Sequence, residues 1–197
     1  MMSPTRCLFL ALLFPLALLG AGCGSKKESS LPPPTLLPDA KTPDEWAGRI
    51  VNRLMRPMNP DLQLLSTLNT PQVKIFILQQ NPDTLRVINR RMKDLGKCSD
   101  RLITIGPPPS GASHTPQLRR VDRALHRACP HYVKVSEIVL EAVALLTSGR
   151  EDVVARGEQK LAEVGPDSKA AADAYAEAIR VAQNLDEFKL HGLKPSA

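Results

Sequence analysis

Five basic side chains recur at a helical interval in the middle of this chain: Arg86, Arg90, Lys93, Lys97 and Arg101. At 100° per residue they fall within one face about 80° wide, with Val87, Ile88, Met92, Leu95 and Leu102 on the other side. Arg119, Arg123 and Arg127 repeat the pattern against Leu118, Val121, Leu125 and Ala128. Cations aligned in this way can hold an anionic lipid headgroup, an acidic envelope polymer or an acidic protein, by charge and by forked hydrogen bonds. The same letters also describe the solvated face of an amphipathic helix pair. Ten basic and three acidic residues lie between Arg86 and Arg127, whereas eleven acidic and seven basic residues follow from Val135 onward. The acidic C-terminal helices can therefore balance part of this charge. Nucleic acid is not an expected partner, because no aromatic side chains are interleaved for base stacking.

Other reactive residue types lack the spacing that chemistry requires. His126 and His131 are five apart with Pro130 between them, and His114 and His191 stand alone. No HExxH, CxxCH or ExxH occurs, so neither a metal nor a cofactor is expected. Glu137/Glu141 and Asp173/Glu177 are carboxylates at i, i+4. General acid–base work needs such groups in a pocket with their pKa values pushed apart, and solvated helix faces are the simpler expectation. No GxSxG turn or phosphate-binding glycine loop is present. The chain is not expected to be an enzyme, and it offers no catalytic residues.

The elements that position these residues are helical. Hydrophobic residues make up 43% of 197, aromatics only 4%, and charged residues 23%. Leu, Ala, Arg and Lys, all good helix formers, dominate. Thr42-Pro43, Asn59-Pro60, Thr70-Pro71, Asn81-Pro82 and Thr115-Pro116 each place a capping side chain before a proline suited to the first turn. They predict helix starts, and the helices drawn from them span 43–55, 60–68, 71–80, 82–102, 116–147, 151–163 and 167–190. VKIFIL at 73–78 is short and β-rich, but its Thr-Pro start favours a helix. Ser148-Gly149 and Gly192 read as stops, and Pro130 as a kink inside the long helix. The expected fold is all-α, an antiparallel helical bundle.

Cys98 and Cys129 are expected to staple this bundle as a structural disulfide, since a redox pair would more often be CxxC. A few extended residues after Leu102 cover about the distance that the next helix needs to reach Cys129. Closing that loop stabilises the fold by roughly 3–4 kcal/mol in the chain-entropy model.

The N-terminus carries an address. MMSPTR supplies one positive charge, and Cys7 to Leu19 is an apolar run of thirteen residues broken only by Pro15. A membrane span needs about twenty, so this run reads as the core of a signal peptide. Gly20-Ala21-Gly22-Cys23 then resembles the lipobox of bacterial lipoproteins, with Gly20 where Leu is usual and Leu19 one place earlier. The resemblance implies a type II signal peptide cut before Cys23 and acylation of the Cys23 thiol. It also implies a lipid anchor in a bacterial membrane, facing the periplasm or the exterior. Gly24 after the cysteine resembles the pattern of outer-membrane sorting where an outer membrane exists.

Residues 24–41 (GSKKESSLPPPTLLPDAK) have no helical or strand period and read as a semi-rigid spacer. The organisation expected is thus signal peptide 1–22, lipidated Cys23 with a flexible linker to 41, and a helical domain at 42–197. The function expected is that of an envelope lipoprotein acting as a non-catalytic binding or scaffolding module. The alternative is a small-ligand carrier with a pocket between the helices.

Overall fold

A computed structural model of the chain describes residues 35–68, 70–111 and 114–193, all within one compact unit, Pro33–Ala197. The signal peptide, Cys23 and the first part of the spacer lie outside the described residues. The order of elements is α1 (Pro43–Arg49), a π-helical segment (Ile50–Met55), α2 (Arg56–Thr67), α3 (Pro71–Leu78), α4 (Pro82–Leu95) and α5 (Cys98–Ile105). After these come α6 (Thr115–Leu146), α7 (Glu151–Ala162), α8 (Val164–Ala182) and α9 (Asp186–Leu190). No strand occurs among the described residues, and the fold is an all-α antiparallel bundle.

Four of the five Thr/Asn-Pro marks stand at helix starts, and two of them cap through the side chain. Thr42 accepts from the Glu45 N–H at 3.1 Å and Asn81 from the Thr84 N–H at 3.0 Å. Pro71 opens α3, and Pro116 sits in the first turn of α6. Asn59-Pro60 starts nothing, because the chain is helical without interruption from Pro43 to Thr67. A π-helical segment precedes this stretch. It ends just before Pro57 (Arg56 N–H donates to Val51 O), widening the backbone where that proline ring would otherwise press on the preceding turn, and Pro60 then lies inside α2.

Two predicted long helices are each divided. The 82–102 helix breaks at Gly96-Lys97, and the break lets the α4–α5 corner approach α6 closely. A Cβ on Gly96 would lie 2.8 Å from Ser136 Oγ. The 167–190 helix starts at Val164 and stops at Ala182 before the short α9. α6, in contrast, continues through Pro130 as one helix, with the proline on its exposed side. Gly149 and Gly192 adopt positive φ, 75° and 84°, beyond the ends of α6 and α9.

α6 is the axis of the bundle. It packs on α8 and α7 along one side and on α4 and α5 along another. Its buried stripe runs Leu118, Val121, Leu125, Ala128, Tyr132, Val135, Val139, Val143 and Leu146, the i, i+3/i+4 pattern of an amphipathic helix. At the opposite end of the core, Trp46 of α1 meets Phe188 of α9 edge to face at 6.0 Å, and its indole N–H donates to Gly106 O at 3.0 Å. Cys98 and Cys129 are disulfide-bonded, Cα to Cα 5.1 Å, joining the start of α5 to the middle of α6.

The spacer does not stay free up to residue 41. Leu37 N–H donates to Thr104 O at 3.1 Å, an Arg49 guanidinium N–H donates to Pro38 O, and Ala40 is buried. Apolar side chains among the prolines of residues 35–41 give this stretch something to bury.

Candidate functional site

The basic residues do not form one continuous face. Arg86 lies beside Asp83 at 3.5 Å, Lys97 beside Asp94 at 2.9 Å, and Arg127 pairs with Glu177. Arg101 turns inward. The break at Gly96 resets the helical phase between α4 and α5, so Arg101 is half-buried, 4.0 Å from Asp94, with one guanidinium nitrogen buried and unbonded. Arg90, Lys93, Arg119 and Arg123 are exposed and have no carboxylate within ion-pair distance among the described residues.

Arg119 and Arg123 border a recess of about 630 Å³ between α6 and the docked spacer, walled by Pro107, Pro108 and Pro109. Asp39 and Asp122 line the same recess, so its charge is largely balanced. Burial pushes the Asp122 carboxyl above its ordinary range, against the pull of His126 and Arg123.

Each histidine faces one carboxylate. His114 meets Glu187 at 3.0 Å, His126 meets Asp122 at 3.3 Å, His131 meets Asp167 at 2.8 Å and His191 meets Asp44 at 3.1 Å. Three of these pairs tie distant parts of the chain together. No group of three metal-ligating side chains occurs among the described residues. The i, i+4 carboxylates are used as struts: Glu141 pairs with Lys160, Asp173 with Lys169, and Glu177 with Arg120 and Arg127 across the α6–α8 seam. Hydrogen bonds from Arg120 hold the Glu177 carboxyl below its usual range. Lys134, helped by His131, does the same for Asp167.

One buried charge was not visible in the sequence pattern. Asp61 has a side chain 0% exposed, neither carboxylate oxygen is hydrogen-bonded, and Arg91 is its only ion-pair partner among the described residues, at 3.6 Å. Burial pushes its carboxyl up, with Arg91 opposing. As the residue after Asn59-Pro60 it reads as a first-turn acid on a solvent face; the uninterrupted helix turns it into the bundle.

An apolar opening lies between α2 and α8, with α6 as its floor. It has a volume of about 660 Å³, and Leu62 and Leu65 on one side face Ala172, Ala176 and Ile179 on the other. Tyr132 of α6 and Tyr175 of α8 line it and meet edge to face at 6.1 Å. Arg180 lines both this groove and a neighbouring polar recess that contains Arg120 and Glu177. The groove exists because α2 packs on α4 and the π-helical segment while α8 packs on α6. The small side chains of α8 leave the gap between α2 and α8 open. The alanine-rich stretch Ala170–Ala182 is legible as a close-packing helix, but its missing neighbour is not.

Comparison with known proteins gives no matching protein family, no similar curated protein and no similar solved structure.

Proposed function

We propose that this chain is a membrane-anchored bacterial envelope lipoprotein whose helical body is a non-catalytic binding or scaffolding module. The observation that carries the reading is Cys23, placed directly after a thirteen-residue apolar run and three small residues. A span needs about twenty apolar residues, and no helix among the described residues is long and apolar enough to cross a membrane. Attachment would therefore depend on the lipid. The Cys98–Cys129 disulfide supports export, since such bonds persist in oxidising compartments. The prolines between Cys23 and the docked segment at Leu37 would hold the body away from the bilayer.

Fractionation tests the anchor. Wild-type protein is expected in the membrane fraction and the Cys23→Ala variant outside it; an unchanged distribution contradicts the reading. The binding half of the proposal draws on Arg90, Lys93, Arg119 and Arg123, the exposed cations without acidic partners. Retention on anionic vesicles should fall steeply as ionic strength rises through the range where charges are screened. Equal retention after reversing all four charges would remove the anion-binding role.

A second reading, a small-ligand carrier, is favoured by the groove between α2 and α8. Its volume and mostly apolar lining with a few polar groups are those of a ligand site.

A further inference from the structure

The groove between α2 and α8 has a shape, a lining and a charge that together specify a ligand. Its α8 wall runs from Ser168 to Gln183, about 22 Å at 1.5 Å per residue. The opening along it has a volume of about 660 Å³. One extended hydrocarbon chain fits along this length. A further recess of about 270 Å³ shares Leu65, Ser168 and Ala172 with the groove and carries its apolar lining on to Val164 and Leu161.

A few polar groups are set into this apolar lining. Tyr132 is 3% exposed, and neither its hydroxyl nor that of Tyr175 has a hydrogen-bond partner among the described residues. Neither hydroxyl is shut off from the groove, so each can donate to an acceptor on a molecule bound there. Burial pushes the Tyr132 phenol up to about 12 and the Tyr175 phenol higher still, so both remain neutral donors. Arg180 also lines the groove, exposed and with no ion pair among the described residues. The nearby carboxylate of Glu177 is already bound by Arg120 and Arg127. Three guanidinium groups to one carboxylate leave this end with an excess of positive charge.

We propose that the groove binds a single long-chain fatty acid, with its carboxylate at Arg180 and the Tyr132 and Tyr175 hydroxyls. Its hydrocarbon chain lies between α2 and α8, pointing toward Val164 and Leu161. The proposal deepens the carrier reading of the groove and does not depend on the lipid anchor, so the two stand or fall by separate experiments.

The test uses residues 24–197, which contain the whole compact unit, and cis-parinaric acid as a fluorescent fatty-acid probe. Saturable binding is expected, displaced by palmitate and at least fivefold less well by its uncharged methyl ester. Ala176→Phe, on the exposed groove wall, should weaken binding at least tenfold with an unchanged melting curve; Ala172→Phe serves if that variant misfolds. Arg180→Glu should weaken palmitate at least fivefold and leave the methyl ester unaffected. Absence of saturable binding, wild-type affinity in a folded groove-filling variant, or equal displacement by acid and ester would overturn the proposal. Displacement by diacyl phospholipid alone would overturn the single-chain assignment.

Discussion

At the scale of single residues, Asp61 is the sharpest departure from an all-apolar core. A carboxylate with no hydrogen bond and one guanidinium at 3.6 Å is poorly compensated for its burial. Its pKa is raised, so the ionised form destabilises the fold above the ordinary carboxylate range. The stability associated with its neutral form is present at low pH and is lost as pH rises through the raised value. Asp61→Asn is therefore expected to raise Tm by a few degrees at pH 7, with the gain shrinking in acid. Thermal melts at both pH values check this, and a lower Tm at pH 7 would mean that the Arg91 contact outweighs desolvation. Asp61 was hidden because Asn59-Pro60 has the letters of a helix start, whereas the chain is already helical there. Cys98 and Cys129, by contrast, were legible, since two body cysteines without CxxC spacing leave few alternatives.

At the scale of elements, helix starts were readable because capping and proline placement are local physics. Helix ends and breaks were less so. The basic stripe from Arg86 to Arg101 assumes one straight helix, and the corner at Gly96 rotates Arg101 off that face. The corner depends on Gly96 lying against Ser136, a residue forty positions later in α6. Ser136 is buried, and its hydroxyl donates to Val133 O at 2.7 Å. Gly96→Ala should cost about 1–3 kcal/mol through overpacking. Adding Ser136→Ala, which removes the opposing oxygen, should restore a large part of that loss. Urea unfolding of the two single variants and the double variant measures the coupling, and strictly additive losses would contradict the close approach. The groove illustrates the same limit. Its alanines are visible in the sequence, while the separation of α2 from α8 is set by what each packs on elsewhere.

At the scale of the whole molecule, the bundle is closed by ion pairs between elements that are far apart in sequence. Glu177 links α8 to Arg120 and Arg127 of α6, and Asp167 links the start of α8 to His131 and Lys134. Both carboxyls are held below their ordinary values. Their contribution is therefore present above the unfolded carboxylate range and is lost as pH falls through the lowered values. Glu177→Gln should lower Tm at pH 7, and the difference from wild type should vanish in strong acid. A difference that persists there would point to packing instead of charge. These pairs consume much of the charge that the sequence displays as a basic face, leaving Arg90, Lys93, Arg119 and Arg123 as its unpaired remainder. Mass spectrometry of the N-terminal peptide from purified protein is the direct test of the proposed lipid anchor, with a chain beginning at Cys23 and an acylated thiol as the expected result. An unmodified Cys23, or an N-terminus elsewhere, would contradict it.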